Sequence, residues 1–160
     1  MAIDLSDFSD NMPEDDSARL FAWLAAHGPD EWHQLASFWL YDRGLRPMAW
    51  IVMQPDCDRA TAQRIFWDVS DGRYDLPGPN DGPYARECHA LLSHVIARWR
   101  RGGFTRSELA SSCGDTMDVL RERFLTLLAG VPSSFGDVII GRTPRSIDWD
   151  GDLPAGIYGS

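Results

Sequence analysis

Residues 84–101, YARECHALLSHVIARWRR, decide the fold class. Cys88, Leu91, Leu92, Val95, Ile96 and Trp99 recur at helical spacing and make one unbroken apolar face. Arg98, Arg100 and Arg101 crowd the end of the run, where the negative pole of a helix favours cations, and Gly102-Gly103 stops it. It is the clearest helix in the chain.

The segments upstream follow similar punctuation. Asp58 is a good N-cap for a helix over 59–70 that buries Ala62, Ile65, Phe66 and Val69. Pro47 opens and Pro55 closes a short apolar run whose proline start, Met and Ala favour helix over strand. Pro29 suits a first helical turn, and Asp30 and Glu31 suit the positive pole beside it. Trp32, Leu35, Ala36 and Trp39 then make a helical stripe that ends at residues 42–44. Ser17 can cap a helix to about His27 that carries Leu20, Phe21, Trp23 and Leu24, with Gly28 as its stop.

Downstream, Thr105-Arg106-Ser107-Glu108 fits a capping box opening a short helix. Asp115 or Thr116 starts another, with Met117, Leu120, Phe124, Leu127 and Leu128 on its face. Residues 75–83 hold Pro77, Gly78, Pro79, Gly82 and Pro83 and read as a surface loop or internal boundary. Residues 138–140 are strand-like, and residues 147–150 alternate like a half-buried strand. The expected architecture is mainly α, with about six short helices in antiparallel pairs and an α-solenoid flavour. Residues 1–16 read as a flexible acidic leader, 17–130 as the helical domain, and 131–160 as an extended or short β tail packed on it.

At 160 residues the chain suits one domain with a core that needs neither metal nor disulfide. Its 24 acids and 15 bases give a formal net charge of -9, which disfavours phosphate backbones and anionic membranes. Asp4, Asp7, Asp10, Glu14, Asp15 and Asp16 stand in the leader without a base. Every base is Arg and none is Lys, which excludes Schiff-base lysine chemistry and a Walker-type phosphate lysine. No signal-peptide pattern and no apolar run of ~18 residues is present. Three cysteines, Cys57, Cys88 and Cys113, make an odd set that fits a reducing cytoplasm.

Chemical motifs are sparse. His27, His33, His89 and His94 include no i, i+4 pair, and His89 and His94 stand about 140° apart on a helix, so no metal site is expected. There is no Gly-x-Ser-x-Gly elbow and no phosphate-cradling glycine loop, and no cofactor is expected. Cys57 precedes a helix start that would lower its pKa, but Asp56 and Asp58 flank it and oppose that effect, so an inward-packed thiol is preferred. Asp148, Asp150, Gly151 and Asp152 faintly resemble a calcium loop, which fails at Gly159 where a Glu is needed.

The seven Trp are the most unusual feature. Phe38, Trp39, Leu40 and Tyr41 are consecutive, and one helical face cannot bury all four; Phe66-Trp67 raises the same point. Arg98, Arg100, Arg101 and Arg106 cluster nearby in sequence to one another without an acid between them, ready for an acidic partner or for the leader itself. Aromatic anchors and Arg are the usual hot-spot types. Phe38, Trp39, Tyr41, Trp67, Arg98, Arg100 and Arg101 are therefore the candidate partner-binding residues.

Four elements carry a likeness to a known family: Trp32-His33-Gln34-Leu35-Ala36, Trp50-Ile51, Gln54-Pro55-Asp56-Cys57-Asp58, and Thr61-Ala62 with Ile65-Phe66-Trp67. On these, residues 21–76 resemble a bacterial domain-of-unknown-function family, number 4274 in its series. The resemblance implies a bacterial, mainly helical protein and brings no activity or catalytic residues. Read physically, the same motif is a structural corner, in which Pro55 ends one element, Asp58 caps the next and Thr61 adds a side-chain bond in the first turn.

These features together favour a cytoplasmic protein-interaction module, in its sharpest form an immunity- or inhibitor-type protein that neutralises one basic partner. One alternative is a small enzyme whose cleft uses Cys57, His33 and nearby carboxylates. Another is a structural homo-oligomer whose exposed Trp residues pair across a symmetric interface.

Overall fold

The computed structural model describes residues 3–70, 82–112 and 131–159. The chain is mainly helical, with α1 at Glu14–Ala26, α2 at Pro29–Ser37, α3 at Arg46–Met53, α4 at Arg59–Ser70 and α5 at Pro83–Arg100. Near the C-terminus β1, Trp149–Asp150, pairs antiparallel with β2, Leu153–Pro154. Cys113, the helix expected from Asp115 or Thr116, and most of the proline- and glycine-rich stretch lie outside the described residues.

The centre of the fold is α4. Nine of its 12 residues are buried, among them Ile65, Phe66 and Trp67, and its buried Thr61 and Gln63 find partners inside. It packs on α2, α3 and α5. The sequence-predicted face of α5, Cys88 through Trp99, is buried throughout. Phe135, from a 3-10 turn at Ser133–Gly136, stacks on Phe66 and Trp99 with ring centroids 4.2 and 4.1 Å away. Its carbonyl accepts the amide of Gln63 at 3.0 Å and the indole N–H of Trp67 at 2.8 Å.

Four local expectations change in three dimensions. First, α1 begins before Ser17, because Glu14, Asp15 and Asp16 form its first turn at the positive helix pole. Ser17 instead donates its hydroxyl to Asp10. Second, the leader is anchored where a flexible arm was expected. Phe8 and Met12 are buried, and Arg46 Nε donates to the carbonyls of Leu5 and Phe8 at 3.2 and 2.9 Å. Burying Phe8 alone is worth about 2 kcal/mol. Gly44 makes the approach possible, since at φ +98 a Cβ there would overlap the Ser9 carbonyl.

Third, α2 stops at Ser37, and the break sorts the consecutive aromatics. Phe38 turns outward, Trp39 turns inward with its indole N–H on the Gly44 carbonyl at 3.0 Å, and Tyr41 enters a 3-10 turn, half-buried. Fourth, Thr105-Arg106-Ser107-Glu108 opens no helix. The backbone N–H groups of Glu108 and Leu109 donate to the buried Asp58 carboxylate at 2.8 and 3.2 Å, which holds the segment extended. Leu109 then bridges to Arg142 in parallel. Gly141 lets the two backbones meet, because a Cβ would lie 2.6 Å from the Glu108 carbonyl oxygen. The strand-like 138–140 run forms no ladder; Ile139 exchanges hydrogen bonds with Ser111, and Val138 and Ile140 face out.

Asp58 also caps α4, accepting the Ala60 N–H on Oδ1 at 2.9 Å. Asp58→Ala therefore strands three donors and lowers the unfolding free energy by about 3 kcal/mol. Asp58→Asn falls nearly as far, since its amide keeps one acceptor but turns a donor toward Glu108 and Leu109. Denaturant titration checks both, and a wild-type midpoint for Asp58→Asn would contradict the assignment.

Candidate functional site

The first turn of α4 and the middle of α2 meet at one hydrogen bond. His33 Nδ1 lies 2.9 Å from Thr61 Oγ1. His33 is 1% exposed, and its Nε2 is buried without a partner. Nδ1 and the Thr61 hydroxyl share this bond, whose direction follows the ring's tautomer. Burial lowers the His33 pKa to about 4; Arg64 pushes the same way, while Asp58 and Asp30 oppose it. The ring is therefore neutral at pH 7.

His33 borders a cleft of about 460 Å³, within the range of ligand sites. Ser37 and Phe38 come from the end of α2, Arg64 from α4, residues 110–112 from the extended segment, and Thr143 and Pro144 from the tail. Arg64 ties three of these walls together: its guanidinium meets Asp68 at 2.7 Å, the Ser112 carbonyl at 2.9 Å and the Ser37 carbonyl at 3.2 Å. Arg142 holds the outer wall, gripping the buried Asp30 carboxylate with two bonds of 2.6 and 2.7 Å. That fork keeps the Asp30 carboxyl near pKa 2. The Arg145 N–H adds a third bond to Asp30 at 2.8 Å. A second, smaller hollow of about 370 Å³ is lined by Phe38, Trp149, Gly151 and Asp152, with the Phe38 and Trp149 rings edge-on at 5.6 Å.

The cleft holds hydroxyls, a cation and a neutral imidazole, and no thiol among the residues that line it. Cys57 is fully buried and lies outside the cleft lining. Burial, with Asp58 adding to it against Arg98, pushes its thiol up to about 12. The structure thus separates Cys57 from the cleft that His33 borders. Among the described residues no group of three His, Cys, Asp or Glu is placed to hold a metal ion. No described helix is long and apolar enough to cross a membrane.

The seven residues expected to bind a partner do not form one surface. Trp39, Trp67 and Arg98 are buried, which corrects their assignment as interface residues. Both indoles found carbonyl partners inside, and the Arg98 head satisfies the exposed carbonyls at the end of α3, Val52 at 2.6 Å and Gln54 at 2.9 Å. Tyr41 is half-buried; Phe38, Arg100 and Arg101 are exposed. Among the described residues no leader acid forms an ion pair with Arg98, Arg100, Arg101 or Arg106; Asp16 pairs with Arg19, and Arg106 with Glu108. Sequence reading missed the role of Arg142 altogether, since nothing in the residues near position 142 points to Asp30.

Residues 27–82 match the family DUF4274, described as a domain of unknown function. The match takes in α2, α3 and α4, and with them His33, Asp58 and Thr61. Comparison with curated proteins and with solved structures gave no match.

The depressed His33 pKa has a definite sign. The unfolded chain takes up a proton near the ordinary value of 6.5, the folded ring only near 4. Stability that is full above pH 6.5 is therefore lost as the pH falls toward 4, by up to about 1.4 kcal/mol per pH unit. Asp30 acts lower, below its ordinary 3.8, so the two windows do not overlap. Urea titrations at pH 7 and pH 4.5 should show a steeper loss for the wild type than for His33→Asn. Equal losses would contradict a buried neutral His33.

Proposed function

We propose that the protein is an interaction module that engages a basic protein across the rim of the His33 cleft, in its sharpest form as an inhibitor- or immunity-type protein. The rim carries the reading: Ile140 is 91% exposed, Val138 65% and Phe38 61%. Ile139 between the first two turns inward, so Val138 and Ile140 project from one side of an extended segment. That segment is bonded to Ser111, which lines the cleft, and Phe38 stands at the α2 end of the same cleft. Single exposed apolar side chains are ordinary, but Val138 and Ile140 side by side on the segment bonded to Ser111, with Phe38 on the cleft that Ser111 lines, give a partner apolar area to cover.

Charge supports the choice of partner. The chain carries -9, and Asp148 and Asp150 are exposed beside the Phe38–Trp149 pair. The nearby cations Arg142 and Arg145 are drawn onto Asp30. An acidic rim of this kind speeds encounter with a basic protein and loses that advantage in salt. Cys57 and Cys88 are buried thiols, which suits a reducing cytoplasm.

Affinity capture from a lysate of the source organism tests this, using wild type, a Val138→Asp/Ile140→Asp double variant and an unrelated acidic protein of similar size. The expected result is one basic protein retained by the wild type, released at high salt, and bound at least about tenfold more weakly by the double variant. Equal recovery by the double variant, or retention of no basic protein, would overturn the reading.

A further inference from the structure

We propose that the open edge of residues 138–140 takes an extended segment of the basic partner as an added β-strand, held by main-chain hydrogen bonds. This rests on the reading of an interaction module with a basic partner and deepens it by naming how that partner docks.

The backbone of the segment is satisfied along one edge. The Ile139 carbonyl accepts the Ser111 N–H at 2.9 Å, and the Ile139 N–H donates to Ser111 Oγ at 2.7 Å. In extended chain the N–H and C=O groups of successive residues point to opposite edges, so those of Val138 and Ile140 point away from Ser111. Among the described residues none of these four groups has a hydrogen-bond partner. Val138 and Ile140 are also the two most exposed large apolar residues of the described chain, so another chain can reach them. All three residues are β-branched, and none is charged or a proline, the usual devices that blunt an open edge.

The template is held before anything binds. At one end the Asp137 carbonyl accepts the Gln63 amide from α4 at 2.6 Å. At the other, the Arg142 N–H donates to the Glu108 carbonyl and the Arg142 carbonyl accepts the Ala110 N–H, both at 3.0 Å. Ser111 ties the middle. A segment fixed at three points gives up little freedom when a strand is added, which keeps the ordering cost of binding low.

An extended polypeptide is the ligand that answers this edge. It offers N–H and C=O groups at the matching spacing, and its alternate side chains meet Val138 and Ile140 on one face. A helix has spent those groups internally. Charge chooses between a foreign strand and a second copy: two chains of -9 repel each other, whereas a basic segment is drawn in.

The test titrates the isotopically labelled full chain with an end-blocked Lys-Val-Lys-Val-Lys-Val-Lys peptide, and with the same peptide N-methylated at every valine. A valine placed antiparallel opposite Ile140 shares its face and turns its N–H to the Ile140 carbonyl, so methylation removes the donors that the edge uses. The unmethylated peptide is expected to bind with a Kd on the order of millimolar and to slow hydrogen exchange at the Val138 and Ile140 amides. The methylated peptide should bind at least about fivefold more weakly. Edge amides that exchange no more slowly in the peptide overturn the proposal, as does equal binding of the methylated form. Protection that grows with protein concentration in the absence of peptide assigns the edge to a second copy and overturns it too. A basic protein captured from lysate that leaves both amides unprotected overturns the added strand while the rim reading stands. Peptide protection with no basic protein captured does the reverse.

Discussion

The buried carboxylate of Asp58 is the constraint on which the rest of the fold depends. One oxygen starts α4, and the other gathers two backbone N–H groups from 50 and 51 residues further along the chain. A charge sealed from water persists only when its lone pairs are met, and here three N–H groups meet them. From this point the contacts close into a ring. Leu109 leads to Arg142, Arg142 to Asp30 on α2, and α2 back through His33 to Thr61, one turn into α4. His33 is where that ring of bonds meets the cleft.

The aromatic surplus divides along the same line. Trp39, Trp67 and Trp99 serve the core, each with its indole N–H on an internal acceptor. Phe38 and Trp149 stay at the cleft's edge, where a ring has apolar area to offer and no polar group to satisfy on the Phe. Arg98 shows how a cation expected at a surface becomes structural: its guanidinium lies over Phe104, 4.2 Å from the ring centre, and donates to the carbonyls at the end of α3. The surface is thus less basic than the run of arginines around position 100 indicates.

Helix starts marked by a local signal were legible. Pro29, the Pro47 opening, the Asp58 cap and the Gly102 stop act within a few residues, and the helices sit where these signals put them. Signals that compete with a distant partner were not. The capping box at residues 105–108 lost to Asp58, and the leader lost its freedom to Arg46 and Gly44, which nothing in its own sixteen residues reveals. The site was legible only in part. His33 and Thr61 stand in one recognisable motif, but they are 28 residues apart, and no helical period connects them. The outer wall comes from residues 112 positions beyond Asp30, where only three-dimensional structure makes the link.

The junction of α2 with the start of α4 is closed by one buried ring, His33 on Thr61. A long-range proton–nitrogen correlation spectrum of the histidine-labelled full chain at neutral pH reads the state of that ring directly, since it distinguishes neutral imidazole from imidazolium. A neutral His33 at pH 7 and still neutral at pH 5 is the predicted result. A ring charged at pH 5 would contradict the account, because it would not be buried as described.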